Sequence, residues 1–302
     1  MTATAPVPNG GGGPGRVPAA LVAPAKVTLS LKVTGRRPDG YHLLESEMVT
    51  VDLADSLVVD EGDGLSVVEE FAEWADPAPW RSGAVTAGHD NLVSRALRAL
   101  GRTARVELVK RIPPGAGLGG GSADAAAVLR WAGALNPESA ADLGADIPFC
   151  LAGGRALVRG IGERLTPLPF EERALTLFLL PFGMDTRAVY RAWDGGVDDG
   201  RPDRSGDLAE PGGNDLEGPA LEVEPRLGVW RERVAALTGQ RPRLAGSGST
   251  WFVEGTPEEL GLGHRHVVRH GGEAAVIVGV RTVPPVPPSA HPPPSTGRAG
   301  GD

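Results

Sequence analysis

The glycine-rich segment at residues 115–121 constrains the fold of this chain more than any other feature. Five of its seven positions are glycine, and it runs directly into a segment rich in helix formers at residues 123–131. Glycine lacks Cβ, so its backbone amide can approach a bulky group closely. Ser122 is placed as a plausible N-cap of the following helix. Because a helix N-terminus carries unpaired amides and the positive end of the helix dipole, the segment is predicted to bind phosphate.

Ordered segments on both sides distinguish this run from a flexible linker. The glycines at residues 10–13 lie among Pro and Ala, which is typical of a linker. Residues 105–112, in contrast, alternate apolar with mainly charged side chains, and this period of two predicts a strand. We therefore interpret residues 105–131 as a strand, a phosphate-binding loop and a helix.

Familiar phosphate-binding motifs fit the loop poorly. Gly115, Gly117 and Gly120 match G-x-G-x-x-G, but the dinucleotide fold has an apolar parallel strand before this motif, and the strand here is highly charged. A Walker A loop needs Lys before the Ser that follows its last glycine, and Gly121 is followed directly by Ser122. The protein-kinase signatures H-R-D and D-F-G are absent from the sequence. The loop is therefore a different kind of nucleotide site.

Three motifs in the correct order resemble those of the GHMP small-molecule kinases. They are Pro24–Lys26, the glycine loop at residues 113–124 and Leu244–Thr250. Finer matches point to a branch of the family whose acceptor alcohol carries a cytidine diphosphate group. These matches are Arg37–His42, Asn91–Val93, Leu143–Phe149, Thr186–Tyr190 and Asn214–Glu217, and the resemblance extends from about Val22 to Val280.

The resemblance implies an α+β fold with two domains. An N-terminal α/β domain at residues 21–168 would bind ATP, and a C-terminal ferredoxin-like α+β domain at 169–283 would complete the active site in the cleft between them. The mixture of strands and helices without regular βαβ repeats favours the same class. Residues 1–20 and 284–302 are rich in Pro, Gly and Ala and are predicted to be disordered tails. The acidic, glycine-rich residues 194–213 are predicted to form a loop.

Phosphoryl transfer to an alcohol requires positioning, charge neutralisation and a group that accepts the hydroxyl proton. From the residues alone, Asp146 could be this proton acceptor, or an N-cap or turn aspartate held by its own backbone. Lys26 could be an ordinary surface lysine at a strand edge. The resemblance implies that Lys26 and Asp146 are the catalytic pair and that both meet the acceptor hydroxyl.

The resemblance also assigns the binding residues. Those expected to bind ATP are Asn91, Lys110, Pro113, Pro114, Gly115, Ala116, Gly117, Leu118, Gly119, Gly120, Gly121, Ser122 and Ala123. Tyr41, His42 and Tyr190, with Lys26 and Asp146, would bind the cytidyl-diphosphate substrate, since aromatic faces suit nucleobases. Ordinary packing of the aromatic residues, and a simple capping role for Asn91, remain alternatives. Mg²⁺ would arrive with ATP, because no His and Cys cluster for a resident metal is visible.

Composition favours a cytoplasmic enzyme with small-molecule substrates. The net charge of −8 argues against nucleic acid as a partner, and the lone Cys150 excludes an internal disulfide. The sequence shows no signal peptide and no apolar run near the ~20 residues that span a bilayer. An anionic nucleotide would need local cations, for which Lys26, Lys110 and Arg111 are candidates. The sequence does not indicate an oligomeric state.

Departures from the family pattern leave two alternative functions open. Thr28 stands where the family usually carries Asn, and Glu45 and Glu47 stand where it is more apolar. The chain could be a GHMP kinase for another alcohol, such as homoserine or a mevalonate-type acid. It could also be a nucleotide-binding relative without turnover.

Overall fold

The structure is a computed structural model that describes residues 17–73, 85–198, 213–263 and 266–285, without the side chains of 196–198. Most of the two predicted tails lies outside these ranges. The first strand already begins at Ala19, inside the segment predicted as the N-terminal tail.

The first sheet belongs to the N-terminal half of the chain. Its strands are β1 (Ala19–Arg36), β2 (His42–Asp60), β3 (Gly64–Glu69), β4 (Arg105–Lys110), β5 (Arg155–Gly160) and β6 (Arg164–Pro167). The order is β3-β4-β2-β5-β6, and β1 pairs with β2 as the other arm of a long hairpin. Neighbouring strands are antiparallel except β3 and β4, which are parallel.

Helices cover this sheet and place the glycine loop. They are α1 (Leu92–Ala99), α2 (Gly120–Trp131), α3 (Pro137–Ala141) and α4 (Ile147–Ala152), with a short 3-10 helix at Glu70–Glu73. Helix α2 packs against α1, α4 and β1. Three consecutive alanines at residues 125–127 are buried, so the helix can lie close to its neighbours. This packing fixes the N-terminus of α2, where the glycine loop ends.

The second sheet belongs to the C-terminal half. Its strands are β7 (Ala174–Leu179), β8 (Arg243–Leu244), β9 (Trp251–Glu254), β10 (Val267–His270) and β11 (Glu273–Arg281), in the antiparallel order β10-β11-β7-β9-β8. The helices of this half are α5 (Thr186–Asp198), α6 (Glu217–Val223) and α7 (Arg226–Thr238). The predicted α+β class with two units of structure is confirmed, whereas the exact domain limits stay a prediction. Helix α5 extends through residue 198, so the loop predicted from residue 194 is helical at its start, and its residues 199–212 lie outside the described ranges.

The Asn214–Glu217 motif joins the two halves beside the cleft. The amide of Leu31 donates to the carbonyl of Gly213 at 3.0 Å, and the amide of Asp215 donates to the carbonyl of Leu31 at 2.9 Å. The Asn214 side-chain amide donates to the carbonyl of Gly246 at 2.6 Å. These bonds attach the third GHMP-like motif to β1, the strand that carries Lys26.

Candidate active site

The N-terminus of α2 is formed by glycines rather than by a side-chain cap. Helix α2 begins at Gly120, and Gly119 is its N-cap with a left-handed φ of 69°. The amide of Ala123 donates to the carbonyl of Gly119 at 2.9 Å. The preceding amides, of residues 120–122, therefore have no acceptor within the helix and are available to an anion. The predicted N-cap role of Ser122 is wrong, because the helix starts two residues before it.

Bonds to neighbouring segments hold the loop from its carbonyl side. The carbonyl of Gly115 accepts from the backbone amides of Met184 and Ser249. The carbonyl of Ala116 accepts from the amide of Thr250, and that of Leu118 from the amide of Lys26. These four bonds are 2.9–3.2 Å long. The oxygen end of a carbonyl dipole repels an anion. Because these carbonyls face other parts of the protein, the loop can present its amides to a phosphate. The loop is thus attached both to β1 and to the third motif.

Two loop glycines are required by close packing within the protein. A Cβ on Gly117 would collide with the carbonyl oxygen of Ala245 and lie 2.8 Å from that of Gly248. A Cβ on Gly115 would lie 2.9 Å from Cα of Gly183. Both glycines also have positive φ, at 77° and 69°. The glycines therefore let the loop pack tightly against the C-terminal half.

Lys26 lies where the loop, the third motif and Asp146 meet. Its side chain is buried, and Nζ lies 3.1 Å from Oγ1 of Thr28 and 3.5 Å from Oδ2 of Asp146. A Cβ on Gly119 would lie 2.9 Å from Cγ of Lys26, and one on Gly246 would lie 3.4 Å from Nζ. Thr28, the departure from the family pattern, thus accepts a hydrogen bond from the ammonium group.

Asp146 faces Lys26 rather than its own backbone. It occupies the N-cap position of α4 but makes no side-chain capping bond. Its side chain is 33% exposed, whereas that of Lys26 is 6% exposed. The alternative of a backbone-capping aspartate is therefore not what the structure shows. A carboxylate that is ion-paired on one side and open on the other can meet a hydroxyl group from the cleft.

A cavity of about 530 Å³ contains these groups. The cavity is lined by Lys26, Asp146 and Tyr190. It is also lined by every residue predicted to bind ATP except Ala123, which is buried in the core. Tyr41 and His42 are not among the lining residues. The sequence interpretation missed other lining side chains, namely Ser46, Met48, Val85, Thr86, Leu92, Val158, Ile161 and Ser247. Ser247 lies within the third motif and Leu92 within the Asn91–Val93 match, so these motifs were the signal for them, while the others come from segments without a distinctive pattern.

Asn91 combines the two roles proposed for it. Its Oδ1 accepts from the amide of Val93 at 2.9 Å and caps α1, and its Nδ2 donates to the carbonyl of Thr86 at 2.9 Å. It also lines the cavity. Capping therefore does not remove it from the nucleotide site.

Lys110 and Arg111 are already paired with acidic side chains. The ammonium of Lys110 is buried and donates to Asp55 and, at 2.7 Å, to Oδ2 of Asp124. Burial acts to lower the pKa of Lys110, but the two carboxylates outweigh it and raise that pKa above its usual value. Arg111 Nε donates to Oε2 of Glu70 at 2.6 Å. Of the three predicted cations, Lys26 is the one whose ammonium reaches Asp146 in the cleft.

Two of the residues predicted for the substrate, His42 and Tyr190, pack together next to the cavity. The rings of His42 and Tyr190 stack with centroids 4.7 Å apart. Burial, with a further effect from the charge of Asp146, raises the pKa of the Tyr190 hydroxyl, and both residues line the cavity. Tyr41 is 59% exposed. The structure therefore brings His42 and Tyr190 together and leaves Tyr41 on the surface beside them.

Glu45 and Glu47 form part of the sheet surface. Glu45 on β2 lies opposite Arg159 on β5 and accepts a hydrogen bond from its Nε at 2.8 Å. Glu47 accepts from Nε of Arg155, also at 2.8 Å. Opposite charges on adjacent strands stabilise a sheet. These two departures from the family pattern therefore have a structural explanation.

Comparisons with known proteins agree with this geometry. Residues 91–154 match the family model for the GHMP kinases N terminal domain. The chain is 39% identical over 241 residues to a 4-diphosphocytidyl-2-C-methyl-D-erythritol kinase of Paracoccus denitrificans, covering 76% of this chain and 84% of the relative. It is 37% identical over 267 residues to the kinase of the same name from Rhodopseudomonas palustris, covering 76% and 86%. A crystal structure of a 4-(cytidine 5'-diphospho)-2C-methyl-D-erythritol kinase resembles it with a TM-score of 0.60 at 34% identity, over 88% of this chain and 100% of that one.

The described residues contain no helix that is both long and apolar enough to cross a membrane. They also contain no group of three or more His, Cys, Asp or Glu side chains arranged to hold a metal ion.

Proposed function

This chain belongs to the 4-diphosphocytidyl-2-C-methyl-D-erythritol kinases of the GHMP family, and we propose that it phosphorylates the 2-hydroxyl of that cytidylated diol with ATP. This reaction lies in the non-mevalonate route to isoprenoid precursors. The observation that carries the proposal is the convergence of Lys26, Asp146 and the N-terminus of α2 in one cavity.

The nucleotide is held by backbone groups. The unpaired amides of residues 120–122 and the dipole of α2 meet the phosphate oxygens. Positioning of this kind can supply ~7–11 kcal/mol of barrier reduction. Mg²⁺ arrives bound to ATP, as part of that substrate, and neutralises phosphate charge.

The acceptor hydroxyl reaches Asp146 from the open side of its carboxylate. As the hydroxyl oxygen attacks the γ-phosphorus, Asp146 accepts the hydroxyl proton and ADP leaves. Lys26 stabilises the negative charge on the transferring oxygens. A general base contributes roughly 10²–10⁴-fold, so positioning by the loop is the larger effect.

Release of ADP with different acceptors tests this function. We expect turnover with 4-diphosphocytidyl-2-C-methyl-D-erythritol and none with homoserine or mevalonate. Preferred turnover of homoserine or mevalonate would assign the chain to another GHMP activity. Binding of an ATP analogue without ADP release from any of these acceptors would identify a non-catalytic relative.

A further inference from the structure

One face of α5 encloses the imidazole ring of His42. Tyr190, Trp193 and Asp194 follow the spacing i, i+3 and i+4, which places them on the same side of a helix. Tyr190 stacks on the ring with an interplanar angle of 21°, and Trp193 meets it edge-on at 5.4 Å and 85°. Oδ1 of Asp194 lies 2.7 Å from Nε2 of His42. A single helix thus supplies a stacking partner, an edge contact and a hydrogen-bond partner for the ring.

This contact also connects the two halves of the molecule. His42 begins β2, whereas α5 belongs to the C-terminal half. Arg36, at the end of β1, places Nη1 3.5 Å from the other oxygen of Asp194. Both ends of the β1–β2 turn therefore meet at Asp194. The side chains of His42 and Asp194 are 10% and 23% exposed, so their hydrogen bond is partly shielded from water.

Asp194 determines which nitrogen of His42 carries the proton. An ionised carboxylate only accepts hydrogen bonds, so Nε2 must donate to it. In neutral imidazole the other nitrogen, Nδ1, then keeps its lone pair and is an acceptor. Arg36 supplies positive charge next to the other oxygen of the same carboxylate.

A ring nitrogen held as an acceptor distinguishes between pyrimidine bases. Cytosine presents an amino group at the position where uracil presents a carbonyl oxygen. The amino group can donate to Nδ1, whereas the carbonyl oxygen would face a lone pair. Sites with a fixed hydrogen-bonding group discriminate strongly against a ligand that leaves this group unpaired. Tyr190 lines the cavity and stacks on the His42 ring, so the ring lies next to a lining residue.

We infer that Asp194 is a positioning residue, which holds His42 in the Nε2-protonated form and thereby selects a cytidyl over a uridyl acceptor. This inference rests on the proposed function. Asp194 does not line the cavity and acts through His42.

Steady-state kinetics of Asp194→Ala and Asp194→Asn test the inference. In Asp194→Ala the proton can move to Nδ1 and leave the cytosine amino group without an acceptor; an unsatisfied buried donor costs ~1–3 kcal/mol, so we expect KM for the cytidyl substrate to rise by about ten-fold. KM for ATP and kcat should stay unchanged, and the preference for the cytidyl over the uridyl analogue should shrink. Asp194→Asn should not restore the affinity, because its single oxygen can face either Arg36 or Nε2 of His42, and its amide group donates to Nε2 and so places the proton on Nδ1. Glu232→Gln, at an exposed position of α7, is the matched control and should change none of these values.

A second measurement does not depend on turnover. Nitrogen-15 NMR of the histidine rings in the intact protein should show His42 protonated at Nε2, and this state should be lost in Asp194→Ala. An Nδ1-protonated ring in the wild type, an unchanged KM in Asp194→Ala, or a parallel loss of kcat and of ATP affinity would overturn the inference. The two proposals can be tested independently. If the wild type releases no ADP, the proposed function is contradicted, and the NMR result still decides whether Asp194 sets the protonation of His42.

Discussion

The ammonium group of Lys26 lies 3.5 Å from the carboxylate of Asp146, and this contact joins β1 to the start of α4. The two partners differ in exposure, since Lys26 is enclosed and Asp146 is open to the cavity. A buried cation that touches a half-open carboxylate leaves one carboxylate face free for a substrate. The pair is therefore arranged for chemistry at the cleft rather than for stability alone.

Lys26→Met should abolish most of the turnover while preserving the fold. Methionine retains the apolar stem under Gly119 but removes the charge that neutralises the transferring phosphoryl group. Removing one such electrostatic group costs about 10²–10³ in kcat, so kcat measured by ADP release should fall by that factor. Lys32→Met, on the same strand, is the control and should retain activity. Equal activity of Lys26→Met and the wild type would exclude Lys26 from the reaction.

Gly117→Ala should destabilise the protein strongly. Its Cβ would meet the carbonyl oxygens of Ala245 and Gly248, and its φ of 77° is unfavourable for alanine. Strain of this backbone type costs ~1–3 kcal/mol before the contact with the carbonyls is added. Urea unfolding should therefore show a lower free energy of unfolding. Gly121→Ala is the matched control, because its Cβ would only touch Cδ1 of Leu92 at 3.4 Å. Equal free energies of unfolding for the two variants would contradict this account of the loop.

Asp124 should make stability fall as the pH rises from about 4 to about 7. Burial raises the pKa of Asp124 from 3.8 to about 7 in the folded state, because it outweighs the opposing effect of the Lys110 charge. The folded protein therefore binds a proton that the unfolded chain has released in this range, and the stabilisation is lost as the pH passes the folded pKa. Oδ1 of Asp124 also lacks a hydrogen-bond partner among the described residues.

Asp124→Asn removes this titration while its amide oxygen can still accept from Lys110. The free energy of unfolding, measured by urea at several pH values, should become less dependent on pH between about 4 and 7 and should exceed that of the wild type above this range. An unchanged pH profile, or lower stability of the variant at pH values above the folded pKa, would contradict the linkage.

Local signals in the sequence predicted much of the fold. Alternation predicted the strand β4, and the capping role offered as an alternative for Asn91 is confirmed, since its side chain caps α1. The N-cap of α2 was predicted three residues late, at Ser122 instead of Gly119, because a left-handed glycine at the N-cap leaves no side-chain signal. The glycine loop itself could be identified because its spacing and its flanking elements are both local.

Contacts between distant segments could not be read from the sequence. Lys110 looked like a free cation, since nothing near it in the chain indicates that Asp55 and Asp124 enclose its ammonium group. The Asn214–Glu217 motif was recognisable, but its bonds to β1 and to Gly246 depend on how the two halves pack. The same holds for Asp194, which fell in a segment predicted to be a loop and lies on α5 beside His42. The catalytic and binding roles of the site residues stay predictions.

The most direct test of the account compares turnover and nucleotide affinity in Asp146→Asn. Asparagine keeps the size of the side chain but cannot accept the hydroxyl proton, so kcat should fall by about 10²–10⁴. The Kd of an ATP analogue, measured by calorimetry, should remain that of the wild type, because the amides of residues 120–122 hold the phosphates independently of Asp146. Wild-type turnover in Asp146→Asn would contradict the proposal that this carboxylate accepts the proton.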